Sequence, residues 1–202
     1  MASAESAEDQ IMSRERRGSW RLMRIARVDI YLHWSWLGII GLLILGFQAQ
    51  LATAYPDLAP GRLWAYATAG SIVFLTSVLL HELAHALMAQ ARGIEVEGIT
   101  LYLFGGATEA DASSGKARDE LVIAIVGPLT SVGIAAVLWL IALAIGPNEN
   151  ALGAMVAYLA VVNLILAAFN MTPGLPLDGG RVFRSLAWSA TGDFRKATRW
   201  AA

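Results

Sequence analysis

The 202-residue chain is 56% hydrophobic and only 15% charged, with a formal net charge of −1. Soluble domains carry about a quarter charged residues, so this composition indicates a membrane protein and gives no reason to expect nucleic-acid binding. The chain contains no cysteine, which excludes a disulfide framework and a thiolate metal site. Any bound metal must therefore be held by histidine nitrogen and by carboxylate or carbonyl oxygen.

The N-terminal segment is polar and mixed in charge. Residues 1–23 predict a flexible cytoplasmic tail, since they show no pattern that would form a core. The segment from Arg24 to Tyr31 partly alternates and is rich in β-forming side chains, so it predicts a short strand before the membrane. Residues 24–202 are then expected to form one membrane-embedded core.

Four apolar blocks follow, each long enough to cross a bilayer. They cover about residues 30–52, 63–91, 121–145 and 151–171. A cleaved signal peptide is the competing interpretation of the first block, but its apolar core is too long for one. Between the second and third blocks, Ile94 to Phe104 is β-rich and predicts a strand or hairpin. The expected fold is an α-helical polytopic membrane protein with four spans and a small membrane-associated β-sheet.

The distribution of basic side chains predicts the orientation. With a cytoplasmic N-terminus, the inside segments are residues 1–30, 91–120 and 172–202, which hold six, three and five Lys or Arg, and only Arg62 falls outside them. Cytoplasmic segments of membrane proteins are enriched in these residues. We therefore expect a multi-pass protein of the cell membrane whose second block runs inward and ends at the cytoplasmic side.

That second block contains His81-Glu82-Leu83-Ala84-His85. On a helix, residues i and i+4 share a face, so the two histidines can hold one metal ion while Glu82 reaches a water on that ion. A bare His-Glu-x-x-His string is a weak signal, but ionisable side chains at membrane depth are costly and usually mark function. At 1.5 Å per residue the site would lie about 10–15 Å below the cytoplasmic surface.

A catalytic zinc usually has three protein ligands and a water, so a third ligand is needed. Asp178 is the favoured candidate, because it closely follows the fourth block on the same side, although a turn or helix-capping role stays open. His33 is better explained as an interfacial residue beside Trp34. Four acidic residues of the cytoplasmic segment are predicted to be solvated surface charges: Glu109, Asp111, Asp119 and Glu120.

The expected chemistry is hydrolysis. One Zn²⁺ with an open position would activate a water and polarise a carbonyl, and Glu82 would act as general base and then protonate the departing amine. Asn170 is a candidate for stabilising an oxyanion or orienting substrate, with an interhelical hydrogen bond as the alternative.

These motifs together resemble the site-2 proteases, a family of intramembrane zinc metalloproteases. The resemblance is carried by the His81 pentapeptide, Phe104-Gly-Gly106, Gly127-Pro128, and the stretch from Asn170 to Gly180 that contains Leu177-Asp-Gly-Gly. It implies that His81, His85 and Asp178 are zinc ligands, that Glu82 is the catalytic acid/base, and that Asn170 lies near the substrate carbonyl. It also implies a transmembrane substrate protein, cut beside membrane lipid after its helix is unwound.

The resemblance suggests how a substrate is presented. An unwound segment would add as a strand to an exposed sheet edge, with Ile99 to Phe104 supplying that edge. The compact prokaryotic branch usually has two further spans and a regulatory pair of CBS domains, so the chain is expected to be truncated before them. A zinc transporter and a catalytically inactive membrane scaffold are the rival functions. Whether the chain forms a homo-oligomer is left open by the sequence.

Overall fold

The computed structural model describes residues 18–102, 105–110, 115–147 and 150–202. Four of its helices are long and apolar enough to cross a membrane: α1 (Ser35–Ala54), α2 (Pro60–Ala91), α3 (Ala117–Ile145) and α4 (Ala151–Asn170). The predicted four-span fold is confirmed. The first helix begins at Ser35 rather than near residue 30, because the residues before it belong to a strand.

Local sequence explains where these helices begin and end. Pro60 opens α2, where its missing N–H costs nothing and its fixed φ suits the first helical position. Asn150 caps α4, because its side-chain oxygen accepts a hydrogen bond from the N–H of Gly153 at 2.8 Å. Gly146 ends α3 at a φ of +93°, a conformation that disfavours a side chain. Pro128 lies inside α3 without ending it.

The sheet has four strands in spatial order β1-β2-β3-β4: β1 (Ser19–Ile25), β2 (Val28–His33), β3 (Val96–Tyr102) and β4 (Gly105–Ala110). Strands β1 and β2 are antiparallel, as are β3 and β4, whereas β2 and β3 are parallel. A parallel pair needs a long crossover connection, and here that connection contains both α1 and α2. The first two helices therefore lie between two neighbouring strands of the sheet in the chain.

A hairpin stands where the sequence predicted one strand. Strand β1 begins at Ser19, so the predicted tail boundary at residue 23 falls inside the sheet. Ala26 and Arg27 form the turn with φ values of +49° and +69°, without the Asn-Gly or Gly-Gly pair that signals such turns. Most of β1 is exposed, and because the exposed residues Trp20, Leu22 and Met23 are apolar, the strand lacks the alternation of polar and apolar residues expected of a surface strand.

The proposed edge role of Ile99 to Phe104 is wrong for the strand that the structure describes. Strand β3 pairs with β2 on one side and with β4 on the other, so its backbone is already used on both sides from Gly98 to Leu101. Ile99 is fully buried, as expected for an interior strand. The outer strand beside β3 is β4, which contacts α2. Phe104 lies outside the described residues.

Two apolar cores flank the length of α2. One packs the sheet against the later half of α2, with Ile30, Ile99 and Leu101 against Leu83 and Ala86. The other packs the early half of α2 between α1 and α4, and its buried members are Phe47, Leu51, Leu63, Ala67, Ala151, Met155 and Leu159. These clusters fix the helices that carry the polar residues described below.

Two shorter helices complete the described chain. After α4, residues 171–177 form an irregular loop, as two prolines and a glycine require. Helix α5 (Asp178–Thr191) follows this loop and packs on α3, and helix α6 (Phe194–Ala201) packs on α5. The N–H of Leu175 donates to the carbonyl of Ala201 at 2.9 Å, so α6 also holds the loop that leads to Asp178.

Candidate metal centre

His81, His85 and Asp178 meet at one buried point. The two histidines lie one turn apart on α2 and are 2% and 3% exposed, while Asp178 is 7% exposed at the first residue of α5. The Nε2 atoms of the histidines are 3.2 Å apart. The Oδ2 atom of Asp178 lies 3.1 Å from Nε2 of His81 and 3.2 Å from Nε2 of His85.

This triangle has the size of three corners of a metal site. A tetrahedral ion bound at 2.0–2.1 Å separates its ligand atoms by about 3.3 Å, which is close to all three observed distances. Two imidazole nitrogens and one carboxylate oxygen also form a donor set that suits zinc and leaves a fourth position open. The residues present therefore fit a divalent metal ion of this type.

Helix α3 orients both imidazole rings. Nδ1 of His85 lies 2.6 Å from the carbonyl oxygen of Ile123. Because a carbonyl only accepts, this nitrogen carries the proton, and Nε2 is the atom turned toward the triad. Nδ1 of His81 lies 2.9 Å from the hydroxyl of Ser131, which is fully buried. Each ring is thus held from behind by a partner on the same neighbouring helix.

Gly127 makes room for this arrangement. It lies on α3 between Ile123 and Ser131, facing the two rings. A Cβ built there would lie 2.8 Å from Nε2 of His81 and closer still to Nε2 of His85, which no real Cβ tolerates. At Gly127, α3 and the two histidines of α2 are so close that a side chain would clash with the imidazole rings.

Asp178 is positioned by the two glycines that follow it. A Cβ at Gly179 would clash with the backbone of Met171 and Thr172, and one at Gly180 with the backbone of Gly174 and Leu175. The start of α5 therefore packs directly on the loop before it. Leu177 is the N-cap and makes no side-chain capping bond, so Asp178 extends to the histidines from the first helical position.

Asp178 is ionised at neutral pH. Burial by itself raises the pKa of this carboxyl group, but hydrogen bonding to His81 and His85 outweighs burial and holds the pKa at about 2. The helix N-terminus beneath it also favours a negative charge. A metal ion bound by the triad would replace the protons shared between the carboxylate and the imidazoles.

The other predicted site residues are placed differently. Glu82 is half-buried on α2, directly after His81. Asn170 is the last residue of α4, and its amide nitrogen donates to the carbonyl of Leu166 in the same helix at 3.0 Å, not to the triad. His33 lies 2.9 Å from the hydroxyl of Ser35 at the start of α1, away from the triad. The roles predicted for Glu82 and Asn170 remain predictions.

Two acidic residues predicted as solvated surface charges are paired instead. Glu120 is only 5% exposed and forms an ion pair with Arg184 of α5. Asp119 pairs with Arg92 at the end of α2. Nothing is described of the Glu109 side chain, and Asp111 lies outside the described residues. The interpretation as a solvated surface charge is wrong for Glu120, which is buried because α3 begins at Ala117, earlier than its apolar block.

Sequence reasoning also missed the part that α3 plays. Its buried residues Glu120, Ile123, Gly127 and Ser131 recur at intervals of three and four, which places them on one helix face. A stripe of polar and small residues in an apolar span was the available signal. This signal was missed because Gly127 and Pro128 were considered only as part of the family resemblance, and because the contribution of Ile123 comes from its backbone.

A His-His-Asp cluster whose two histidines lie on one of four helices long and apolar enough to span a membrane defines the class: a membrane metalloprotein of the His-Glu-x-x-His type. The model of peptidase family M50 matches residues 69–148 and 146–201, which together make up more than half of the chain. The chain belongs to peptidase family M50. The resemblance to the site-2 proteases is thereby confirmed.

Individual relatives agree with this assignment. The site-2 protease from Methanocaldococcus jannaschii has a similar structure, with a TM-score of 0.60 and 32% identity, covering 91% of this chain and 77% of that one. Rip3 of Mycobacterium tuberculosis, named as a zinc metalloprotease, is 39% identical over 182 residues, or 87% of this chain and 45% of Rip3. A protein of Synechocystis named in the same way, sll0528, is 38% identical over 169 residues, or 84% of this chain and 44% of its own length. The chain thus spans just under half the length of these curated relatives.

Proposed function

We propose that this chain is the catalytic core of an intramembrane zinc metalloprotease, which hydrolyses a peptide bond in or near a transmembrane segment of a substrate protein. The observation that carries the proposal is the triangle of His81, His85 and Asp178. Its three ligand atoms lie 3.1–3.2 Å apart. His81 and His85 lie on a helix that is long and apolar enough to span a membrane, which is where such a site would meet a membrane-embedded substrate.

The three side chains would hold one zinc ion. When bound, zinc supplies a Lewis acid that lowers the pKa of a coordinated water and polarises the scissile carbonyl. Ser131 and the carbonyl of Ile123 hold the imidazoles in the ligating orientation, and such partners typically affect metal affinity strongly. Gly127 keeps the space in front of the rings free of a side chain.

Glu82 moves the proton in this proposal. Its carboxylate accepts a proton from the attacking water and delivers that proton to the nitrogen of the departing amine, so the C–N bond breaks without a free amide anion. The supporting observation is its position: it follows His81 on α2 and is half-buried beside the cluster. Asn170 is assigned the lesser part of orienting substrate, because its amide nitrogen is already bonded within α4.

The cytoplasmic side is proposed for the active site. Of the 15 Lys and Arg residues, 13 lie in the segments that precede α1, connect α2 to α3 and follow α4; Arg118 lies in the first turn of α3 at the same end, and only Arg62 lies at the other end of the helices. The positive-inside rule then orients the chain with its N-terminus in the cytoplasm and places the C-terminal end of α2 at that surface. The protein would act within the cell membrane, beside lipid and on a transmembrane substrate.

The deciding experiment uses the purified chain in proteoliposomes with a single-span substrate. Glu82→Gln should retain zinc but lose proteolysis by about 10²- to 10⁴-fold, because it keeps the shape of the side chain and removes the general base. Glu95→Gln is the matched control, since Glu95 is exposed in the connection after α2. This variant should cleave the substrate at the wild-type rate. Zinc content by atomic absorption and cleavage by gel are measured on the same samples.

Three results would contradict the proposal. Equal cleavage by the wild type and Glu82→Gln would exclude the assigned base. Zinc flux into the vesicles that depends on Glu82, in the absence of any proteolysis, would support the zinc transporter instead. An inactive scaffold predicts zinc binding with neither activity.

A further inference from the structure

The first turn of α3 contains two adjacent carboxylates that hold two different helices. Asp119 pairs with Arg92 at the end of α2, and Glu120 pairs with Arg184 on α5. The side chains of the first pair are 17% and 29% exposed, whereas those of the second are 6% and 16% exposed. The Glu120–Arg184 pair is thus the more deeply buried, and it joins α3 to the helix that begins with Asp178.

The geometry of the buried pair is restrictive. Nε of Arg184 donates to Oε1 of Glu120 at 2.6 Å, and a second guanidinium nitrogen of Arg184 contacts the same oxygen. The guanidinium also lies over the ring of Phe194 from α6, with its central carbon 5.1 Å from the ring centroid. Two donors and a stacked ring leave Arg184 little freedom to rotate.

A buried ion pair is poor evidence for stability. Removing two charges from water offsets most of their mutual attraction, and an apolar pair of similar volume often stabilises a fold as well. In some proteins a buried polar or ionic pair instead selects one geometry among alternatives. The location of Glu120 shows which geometry would be restricted.

Glu120 shares one face of α3 with the groups that hold the histidines. Ile123 and Ser131 hold His85 and His81 through hydrogen bonds, and Glu120 lies one turn before Ile123. One rigid helix therefore contacts both histidines and, through Arg184, the helix of the third ligand. Arg184 is six residues after Asp178, about 9 Å along α5 at 1.5 Å per residue.

We propose that Glu120 and Arg184 form a positioning pair that sets the place of Asp178 relative to His81 and His85. Gly179 and Gly180 seat the start of α5 on the preceding loop, and the pair fixes the helix just over one turn further on. Two fixed points determine where the Asp178 carboxylate lies. The inference rests on the proposed function only in treating these three side chains as metal ligands.

The test measures Co²⁺ binding to the purified, metal-stripped chain in detergent. Cobalt reports coordination geometry through its visible absorption, and competition with a chelator gives the affinity. Glu120→Gln should weaken Co²⁺ binding by about tenfold or more and change the absorption band, as for other groups that orient ligands. Asp119→Asn is the matched control, and it should stay within about twofold of the wild type because its pair is the more exposed of the two and does not involve α5.

A double-substitution cycle separates positioning from general support. Asp178→Asn removes the third ligand, so adding Glu120→Gln to it should cause no further loss of Co²⁺ affinity. If Glu120→Gln lowers the Co²⁺ affinity by the same factor with and without Asp178, Glu120 supports the whole bundle and the proposal is overturned. If thermal unfolding shows that Glu120→Gln does not fold, Arg184→Lys replaces it, since it keeps the charge and loses the two-donor contact.

The outcomes distinguish this inference from the proposed function. Wild-type affinity in both Glu120→Gln and Arg184→Lys overturns the positioning pair and leaves the protease proposal standing. Loss of Co²⁺ affinity only where Asp178 is present supports the pair, even if the chain cleaves no substrate. A wild type that binds no Co²⁺ overturns both.

Discussion

The two halves of α2 differ in what their buried side chains contact: the early half packs apolar side chains, and the later half positions polar atoms. The early half packs Leu63 and Ala67 against α1 and α4 in an apolar cluster. The later half places His81 and His85 against α3 and α5, where named atoms lie within 2.6–3.2 Å of one another. Apolar packing is non-directional and tolerates exchange at constant volume, whereas ligand atoms must hold their distances.

Two glycines make this difference testable. Gly70 in the early half of α2 faces Met155 and Phe47, and Gly127 on α3 faces the two imidazoles. An added methyl group meets a neighbour in both places. At Gly70 the nearest atom is the flexible end of a methionine, but at Gly127 it is a ring held from behind by a hydrogen bond. The same substitution should therefore affect stability at one site and metal binding at the other.

The largest effect is expected for Gly127→Ala. The new methyl group would displace His81 and His85 from the triangle, so bound zinc and proteolysis should fall to background. Zinc is measured by atomic absorption on protein that still elutes as a single species. Gly133→Ala is the matched control on the same helix, where a Cβ would meet nothing within 4 Å. A Gly127→Ala protein that retains full zinc would show that the later half of α2 adapts as the early half does.

A smaller effect is expected for Ser131→Ala. This change leaves the packing intact but removes the hydroxyl 2.9 Å from Nδ1 of His81, so the ring loses its fixed orientation. Zinc affinity should fall by about 10- to 100-fold, measured by competition with a chelator. Thr130→Ala is the control, because its hydroxyl donates to the carbonyl of Val126 in its own helix. Equal effects of the two changes would assign the loss to the helix rather than to His81.

The sequence predicted the spans and the candidate ligands because those signals are local. Apolar length indicates a membrane helix, and His81 and His85 share a face at the i, i+4 spacing. The hairpin at Ala26–Arg27 was missed because neither residue is typical of a turn with positive φ. The interior position of β3 depends on strands more than 60 residues apart in the chain, as the pairing of Ile30 with Ile99 shows.

The sequence also failed to predict which charged side chain is buried. Glu120 was predicted to be solvated because its partner, Arg184, lies 64 positions away in a helix with no apolar block. Local composition describes the sequence neighbours of a residue, whereas burial of an ion pair depends on its neighbours in space. Asp178 was predicted for the opposite reason, since it closely follows a span and its depth follows from the chain itself.

The smallest effect is expected for Gly70→Ala, which tests the tolerant half of α2. The methyl group would press on the end of Met155, with Sδ at 3.2 Å and a ring carbon of Phe47 at 3.5 Å, and a methionine side chain can rotate away. Alanine also favours a helix over glycine by about 0.5–1 kcal/mol, so the free energy of unfolding should change by no more than about 1 kcal/mol. Gly41→Ala in α1, where a Cβ would meet nothing within 4 Å, measures the helix gain alone. The difference between the two unfolding free energies then isolates the Met155 contact.

Zinc content should stay at the wild-type level in both variants. A loss of zinc in Gly70→Ala would mean that a change of packing in the early half of α2 is transmitted to its metal ligands.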